Sequence, residues 1–341
     1  MPDLSGKNIA ERGLGKLFKP RELLLFGFIS LFACSGLGGL ATWMDLADAE
    51  QEFDREVDAI QHDLAQRFGS AEAVLTSLAG LQQASDVYNR HQFGALSREL
   101  LTAYPFIRTI SEIAAMPRDQ RKKFEESMRD DGYLNFNVTE GRMGGTVGPA
   151  ADRKVTMPIR IFEPFDPEIA GLIGFDVRSD PALSSAVKQA ILDGQVVASD
   201  AVPMGNLSNG FFAFKAYYLG HVAPTTPVER MVQVSGLVAL YLQPDLLLDG
   251  LVKSEQKFGI RLISRPGIRQ YADIQAGASA GVTLLDRPIR KPDGIAGILK
   301  PFVARAPIDQ QGRLFVLEVS QYPKLSSIHA GPVLLLMLIA A

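Results

Sequence analysis

Catalysis by a metal or a nucleophile needs particular residue types at particular spacings, and this chain offers few of either. Its four histidines, His62, His91, His221 and His329, are scattered, with no HExxH pair and no calcium-loop spacing nearby. His62 lies on a charged stretch and reads as solvated rather than as a ligand. The single cysteine, Cys34, has no second thiol with which to bind zinc or form a disulfide. GxSxG is absent, and the nearest run, Gly205-Asn206-Leu207-Ser208-Asn209-Gly210, reads as a turn. Gly277-Ala278-Ser279-Ala280-Gly281 lacks the lysine of a phosphate-binding loop and reads as a plain loop; GxGxxG is missing too. A Ser/His/Asp triad is recognised by geometry rather than spacing, and nothing in the sequence asks for one. The residues predict no catalytic group, no metal site and no cofactor.

What remains is charge in apolar company. Arg108 sits within the apolar stretch Ile107–Ile110, where a charge is costly unless paired. Glu163 and Asp176 stand in similar surroundings. Two readings are open: these groups orient a small ligand in a pocket, or they are structurally paired, as buried charges normally are.

The elements that hold them begin at a membrane. The run Leu23–Met44 carries no charge and is long enough for a bilayer, which takes about 20 residues. Lys7, Arg12, Lys16, Lys19 and Arg21 precede it, and Asp45, Asp48, Glu50, Glu52, Asp54 and Glu56 follow. Basic residues stay in the cytoplasm, so residues 1–22 are expected inside and the chain from Asp45 outside. A cleaved signal peptide is the competing reading, but its apolar core is about 7–15 residues, shorter than this run. Trp43 falls where an interfacial anchor belongs. Ser35 and Gly39 have the spacing that lets membrane helices approach closely. A second apolar run, residues 331–341, reads as the start of another membrane helix. The 341 residues carry a formal net charge of -3 with no basic run, which argues against nucleic acid as a partner.

From Asp45 to about Gln83, Phe53, Val57, Ile60, Leu64, Phe68, Ala71, Leu75, Leu78 and Leu81 recur at helical steps. Such a helix rises roughly 55–60 Å. It is either a stalk whose stripe meets a second copy or a core helix packed on the domain that follows. Ser85-Asp86 is a cap for a helix over Phe93–Leu101, closed by Tyr104-Pro105. Helices are also expected at Arg118–Arg129, Pro181–Leu192 and Pro244–Phe258. Strands are expected at Ile107–Ile113, Leu134–Val138, Val155–Phe162, Gln195–Ser199, Phe211–Leu219 and Val232–Leu242. A smaller set follows at Ile260–Ser264, Gly281–Leu285, Ile295–Val303 and Leu314–Ser320. Helices laid on antiparallel sheets make an α+β class. The Gly220–Pro227 link is a long hairpin or a domain seam.

Several blocks are specific enough to name a family. Tyr104-Pro105-Phe106-Ile107-Arg108-Thr109-Ile110-Ser111 resembles the signature of the CHASE domain, an extracytoplasmic sensor module of membrane receptors. The likeness continues through Phe124-Glu125 and Arg129-Asp130-Asp131-Gly132-Tyr133, then Phe136 and Val138. It resumes at Ile161–Phe165, Gly174-Phe175-Asp176, Asp193–Ser199, Gly210–Phe214 and Gly236–Leu247, covering about residues 85–250. The sequence departs from the pattern after Asp180-Pro181, where Ala-Leu-Ser-Ser replaces the usual arginine. It departs again at Ala216-Tyr217-Tyr218, where the family commonly has Pro-Val-Tyr.

The resemblance implies a long membrane-proximal helix and two PAS-like units, with the ligand in the distal one. By position it makes Phe165 or Asp166 a polar-contact loop, Ser199 a ligand hydroxyl, and Phe214 and Tyr218 a pocket wall. Tyr104, Pro105, Arg108, Thr109, Ser111, Gly132, Tyr133, Glu163 and Asp176 carry the motif. The expected layout is a membrane helix at 23–44, a stalk at 45–84, a distal unit at 85–222 and a proximal unit at 223–326. The expected function is the periplasmic input region of a bacterial inner-membrane receptor. It would bind a small molecule or peptide, act as a homodimer, and relay to a cytoplasmic kinase or nucleotide cyclase. A membrane-anchored periplasmic enzyme is the second reading.

Overall fold

A computed structural model describes residues 20–85, 90–133, 135–204, 209–220, 222–252, 257–266, 281–292 and 299–323. The second apolar run, residues 1–19, Asp86, Leu134, His221, His329, Gly205–Ser208, Gly277–Ala280 and Ile295–Ile298 lie outside the described residues.

The architecture is α+β. The first helix, α1, spans Pro20–Ala84, so the expected membrane run and the expected stalk fall in one element. No proline follows Pro20 until Pro105, so nothing in that stretch removes a helical hydrogen bond. Among the described residues no helix is long and apolar enough to cross a membrane. The side chains of much of Leu23–Met44 are outside that description. Of those described, Leu25, Phe28, Ile29, Phe32, Leu40, Trp43 and Met44 are exposed.

The helical stripe is where the two readings of α1 part. Val57, Ile60, Leu64, Phe68, Ala71, Leu75 and Leu78 are buried, whereas Leu81 is exposed. They pack within the compact unit formed by Glu56–Arg290 and Val303–Gln321. The stripe's partner is therefore the chain's own domain, and it is not left free for a second copy.

The first sheet has five antiparallel strands: β1 (Ile107–Ala114), β6 (Ile159–Glu163), β7 (Val197–Val202), β8 (Gly210–Tyr218) and β9 (Val234–Leu242). Their spatial order is β6-β1-β9-β8-β7, which is 2-1-5-4-3 counted along the chain. Two short pairs lie outside it, β2 (Met116–Pro117) with β5 (Val155–Thr156), and β3 (Thr139–Gly141) with β4 (Val147–Pro149). The second sheet joins β10 (Gly259–Pro266), β11 (Val282–Arg287), β12 (Phe302–Gln310) and β13 (Arg313–Gln321) in the order β11-β10-β13-β12. The remaining helices are α2 (Arg90–Ala103), α3 (Arg118–Asp130), α4 (Pro181–Asp193), α5 (Pro227–Gln233) and α6 (Pro244–Leu248).

Several expectations are corrected. Residues 135–138 form no strand. Their backbone groups are taken by α3 side chains instead, with Arg129 donating to the Phe136 carbonyl and Glu125 accepting from Val138 N–H. Val155–Phe162 breaks into β5 and β6 at Met157-Pro158, since Pro158 has no N–H to give a ladder and Met157 N–H goes to Asp176. The strand expected at Gln195–Ser199 sits two residues later, and the one expected from Ile295 is β12. The helix expected over Pro244–Phe258 ends at Leu248. The start of the expected strand at Val232 belongs instead to α5, which is opened by a reciprocal cap between Thr226 and Glu229. That helix lies within the β8–β9 connection, so Gly220–Pro227 is no seam. Strand β9, expected in the proximal unit, stands at the centre of the first sheet, between β1 and β8.

Candidate functional site

Alternation along β8 places Phe212, Phe214, Ala216 and Tyr218 on one face of the first sheet. That face is covered by Leu183, Val187 and Ile191 of α4 and by Val138, Met143, Ile169 and Phe175 from the connecting loops. Phe214 is fully buried there. Tyr218 donates its hydroxyl to the Ile191 carbonyl at 2.8 Å. Burial pushes its pKa up, while the nearby Arg230 pulls the other way. Ser199 accepts from Phe212 N–H at 3.0 Å and donates to the Asp200 carbonyl at 2.7 Å. Both bonds tie its hydroxyl to the sheet. The other two expected contacts lie on the loop after β6. Phe165 is exposed, and Asp166 accepts from Glu168 N–H and faces Arg108 at 3.8 Å. The structure thus gathers Ser199, Phe214 and Tyr218 into the packed face and leaves Phe165 and Asp166 outside it.

Space opens elsewhere on the same unit. A cleft of about 560 Å³ lies where the end of α3, the β3–β4 hairpin and the loop after β6 meet. Tyr133, Asn135, Asn137, Thr139, Pro149 and Ile173 are among its walls. Two glycines shape it. Gly132 has φ 102° and turns the chain out of α3. Gly174 has φ 93°, and a Cβ there would lie 2.7 Å from the Asn137 carbonyl. The Tyr133 ring is held by Arg90, whose guanidinium sits 4.8 Å above it and also hydrogen-bonds its hydroxyl. Thr139 Oγ1 is buried and, among the described residues, has no hydrogen-bond partner. Among the described residues no charged side chain lines the cleft. Amides, a hydroxyl and an aromatic ring suit a neutral, polar, partly flat molecule.

The CHASE domain family model matches residues 86–277, more than half of the 341-residue chain. The chain belongs to the CHASE domain family. Among solved structures, this CHASE chain is similar to the ligand-binding domain of the Pseudomonas aeruginosa PAO1 amino acid chemoreceptor PctC in complex with GABA. That match has 11% identity and a TM-score of 0.44, covering 80% of this chain and 99% of that one. It is also similar to the extracellular domain of a candidate histidine kinase, soHK1S-Z6, at 14% identity and TM-score 0.43, covering 84% and 99%. A third likeness is to methyl-accepting chemotaxis protein X, at 13% and 0.40, covering 79% and 96%. No curated sequence is similar enough to count as a relative.

The CHASE signature residues now have places. Tyr104 closes α2, its N–H bonding the Leu100 carbonyl at 2.8 Å, and Pro105 lies in the turn into β1. Thr109 and Ser111 are buried within β1. Glu163 pairs with Arg98 at 3.3 Å and packs so closely on Gly94 that a Cβ there would sit 2.6 Å from its carboxylate. Asp176 accepts from Met157 and Arg178 N–H, both at 3.0 Å. Glu163 is thus paired within the fold, whereas Asp176 holds only those backbone N–H groups and its Oδ2 is buried with no partner among the described residues.

The sequence did not single out Asn135, Asn137 and Thr139, though their alternation with Phe136 and Val138 was visible beside the motif. Nor did it reveal Glu112, which lies fully buried in β1. Glu112 accepts from the Tyr217 hydroxyl and faces Arg160 at 3.3 Å. Burial raises its pKa, against the opposing pull of Arg160 and the Tyr217 hydrogen bond.

Proposed function

We propose that this CHASE chain is the ligand-sensing input region of a transmembrane receptor, with the cleft beside Tyr133 as its recognition site for a small neutral molecule. The observation that carries the site is the buried, unpartnered Thr139 hydroxyl in a cleft built on signature residues Gly132 and Tyr133. A buried polar group without a partner costs free energy that a ligand hydrogen bond recovers. The anchor is Leu23–Met44, supported by its length, its charge-flanked ends and the exposed apolar side chains of that part of α1. The sensor then lies outside the cytoplasm, and a homodimer uses a surface other than the buried stripe of α1. Phe165 and Asp166 on the loop after β6 remain proposed ligand contacts, as do Ser199, Phe214 and Tyr218, which are reached if ligand entry parts the packed face. Ligand acts by binding one arrangement of the unit better than another, and α1 carries the difference toward a cytoplasmic output. No observation favours the enzyme reading.

The test is thermal unfolding of the full chain in detergent against a panel of neutral amides and heteroaromatics. At least one compound raises the midpoint of the wild type, as ligands of the native state do, and leaves Thr139→Val and Asn137→Ala unmoved. Compounds that shift all three proteins alike would place recognition elsewhere.

A further inference from the structure

The second sheet holds a charge that none of the above employs. Arg265 stands near the end of β10, directly across from Leu314 of β13. Two residues back on the same face is Ile263, opposite Val316, so its surroundings are apolar. Only 8% of Arg265 is exposed. Its Nε and Nη1 are buried and, among the described residues, have no hydrogen-bond partner. Its stem is fixed by Gly281, where a Cβ would lie 3.0 Å from Arg265 Cγ.

Of the acids of that face, Glu318 and Asp286 are engaged, and Asp309, four residues beyond Arg305 on β12, is exposed and in no ion pair among the described residues. Glu318, opposite Arg261, lies 3.2 Å from Arg261 and 2.7 Å from Arg305, and Asp286 lies 3.2 Å from Arg261. Arg261 is four residues from Arg265 along the strand, about 13 Å at a strand's rise. Arg261 and Arg305 therefore take up Glu318 and Asp286, and Arg265 pairs with no carboxylate among the described residues. A buried lysine can shed its proton, but arginine stays charged. An uncompensated buried cation is strongly unfavourable.

We infer that Arg265 anchors a second binding site, separate from the Tyr133 cleft, for a small carboxylate with an apolar body. The planar guanidinium matches a carboxylate, and Ile263, Leu314 and Val316 suit the hydrocarbon. A phosphate dianion would leave one negative charge buried without a partner.

The full chain in detergent is unfolded by heat at fixed ionic strength in chloride, butyrate or inorganic phosphate. Butyrate raises the wild-type midpoint saturably relative to chloride, and phosphate does so less. Arg265→Met loses the butyrate shift, yet in chloride it melts at or above the wild type, because an unpaired buried charge is gone. Arg265→Lys keeps the charge without the fork and raises the half-saturating butyrate concentration at least about tenfold. The inference is overturned by no butyrate shift in the wild type, by a shift that survives in the Met variant, or by unchanged half-saturation in the Lys variant. A Met variant that melts below the wild type in chloride would also overturn it, since the fold would then compensate the cation unaided. A stronger shift with phosphate would overturn the choice of carboxylate.

Discussion

Glu112 shows how a single carboxyl makes the stability of this unit depend on pH. Its pKa in the fold is raised, with burial as the main cause. A carboxyl held above its unfolded value adds stability that is complete below the unfolded pKa and is lost as pH rises through the folded one. Glu112→Gln keeps a group for the Tyr217 hydroxyl and cannot ionise. Urea unfolding across a pH series should show the wild type losing ground to this variant as pH rises. A gap that stays constant with pH would refute the assignment. Gly236 makes the pairing possible, since a Cβ there would collide with the Tyr217 hydroxyl on its way to Glu112. Sequence reading found that Arg108, Glu163 and Asp176 needed partners because a charge among apolar neighbours announces itself. It could not find Arg98 or the Met157 N–H, because those contacts join segments far apart in the chain.

At the scale of elements, Phe68 is the residue on which helix and sheets meet. Its ring lies 4.7 Å from Phe315 of β13 and 6.3 Å from Phe211 of β8, and those two are 5.3 Å apart. Phe68→Ala should cost about 3–5 kcal/mol by lost burial and the cavity left behind, read as a lowered denaturant midpoint. A loss below about 1 kcal/mol would mean the three rings close the gap among themselves.

The sheets are also tied by polar bonds. Ala198 N–H reaches the Gln311 carbonyl at 2.9 Å, and Arg313 bonds the Ser199 carbonyl, Ser264 and Asp200. Arg313→Ala is expected to destabilise more than Asp200→Ala, because only the first removes every bond of the guanidinium. Equal losses by calorimetry would reduce the tie to its ion pair. Helix ends were the most legible part of this scale. Asp180, Pro181 and the left-handed Gly194 bound α4 where their residue types say they should. Helix α5 was hidden by the apolar run around it, although Thr226 and Glu229 had the spacing of a reciprocal cap.

For the whole molecule, the decisive asymmetry is charge. Basic residues precede Leu23 and acidic ones follow Met44, so the domain is expected outside the cytoplasm. Protease added to intact spheroplasts should digest residues beyond Asp45, and removing 23–44 should release the chain from membranes washed at high salt. A protected domain would reverse the orientation. The α+β class was legible because both periodicities, 3.6 and 2, are written locally. The division into units was not, since which strand lies beside which depends on contacts that span the chain.

The place of β9 has a further consequence, in the order of synthesis. It is the last strand of the first sheet to be made and it occupies the middle, between β1 and β8. Until residue 242 has emerged, β1 with β6 and β8 with β7 can exist only as two separate ribbons with open edges. Edges of that kind invite wrong partners. A nascent chain of this family should therefore depend most on protection just before its central strand arrives.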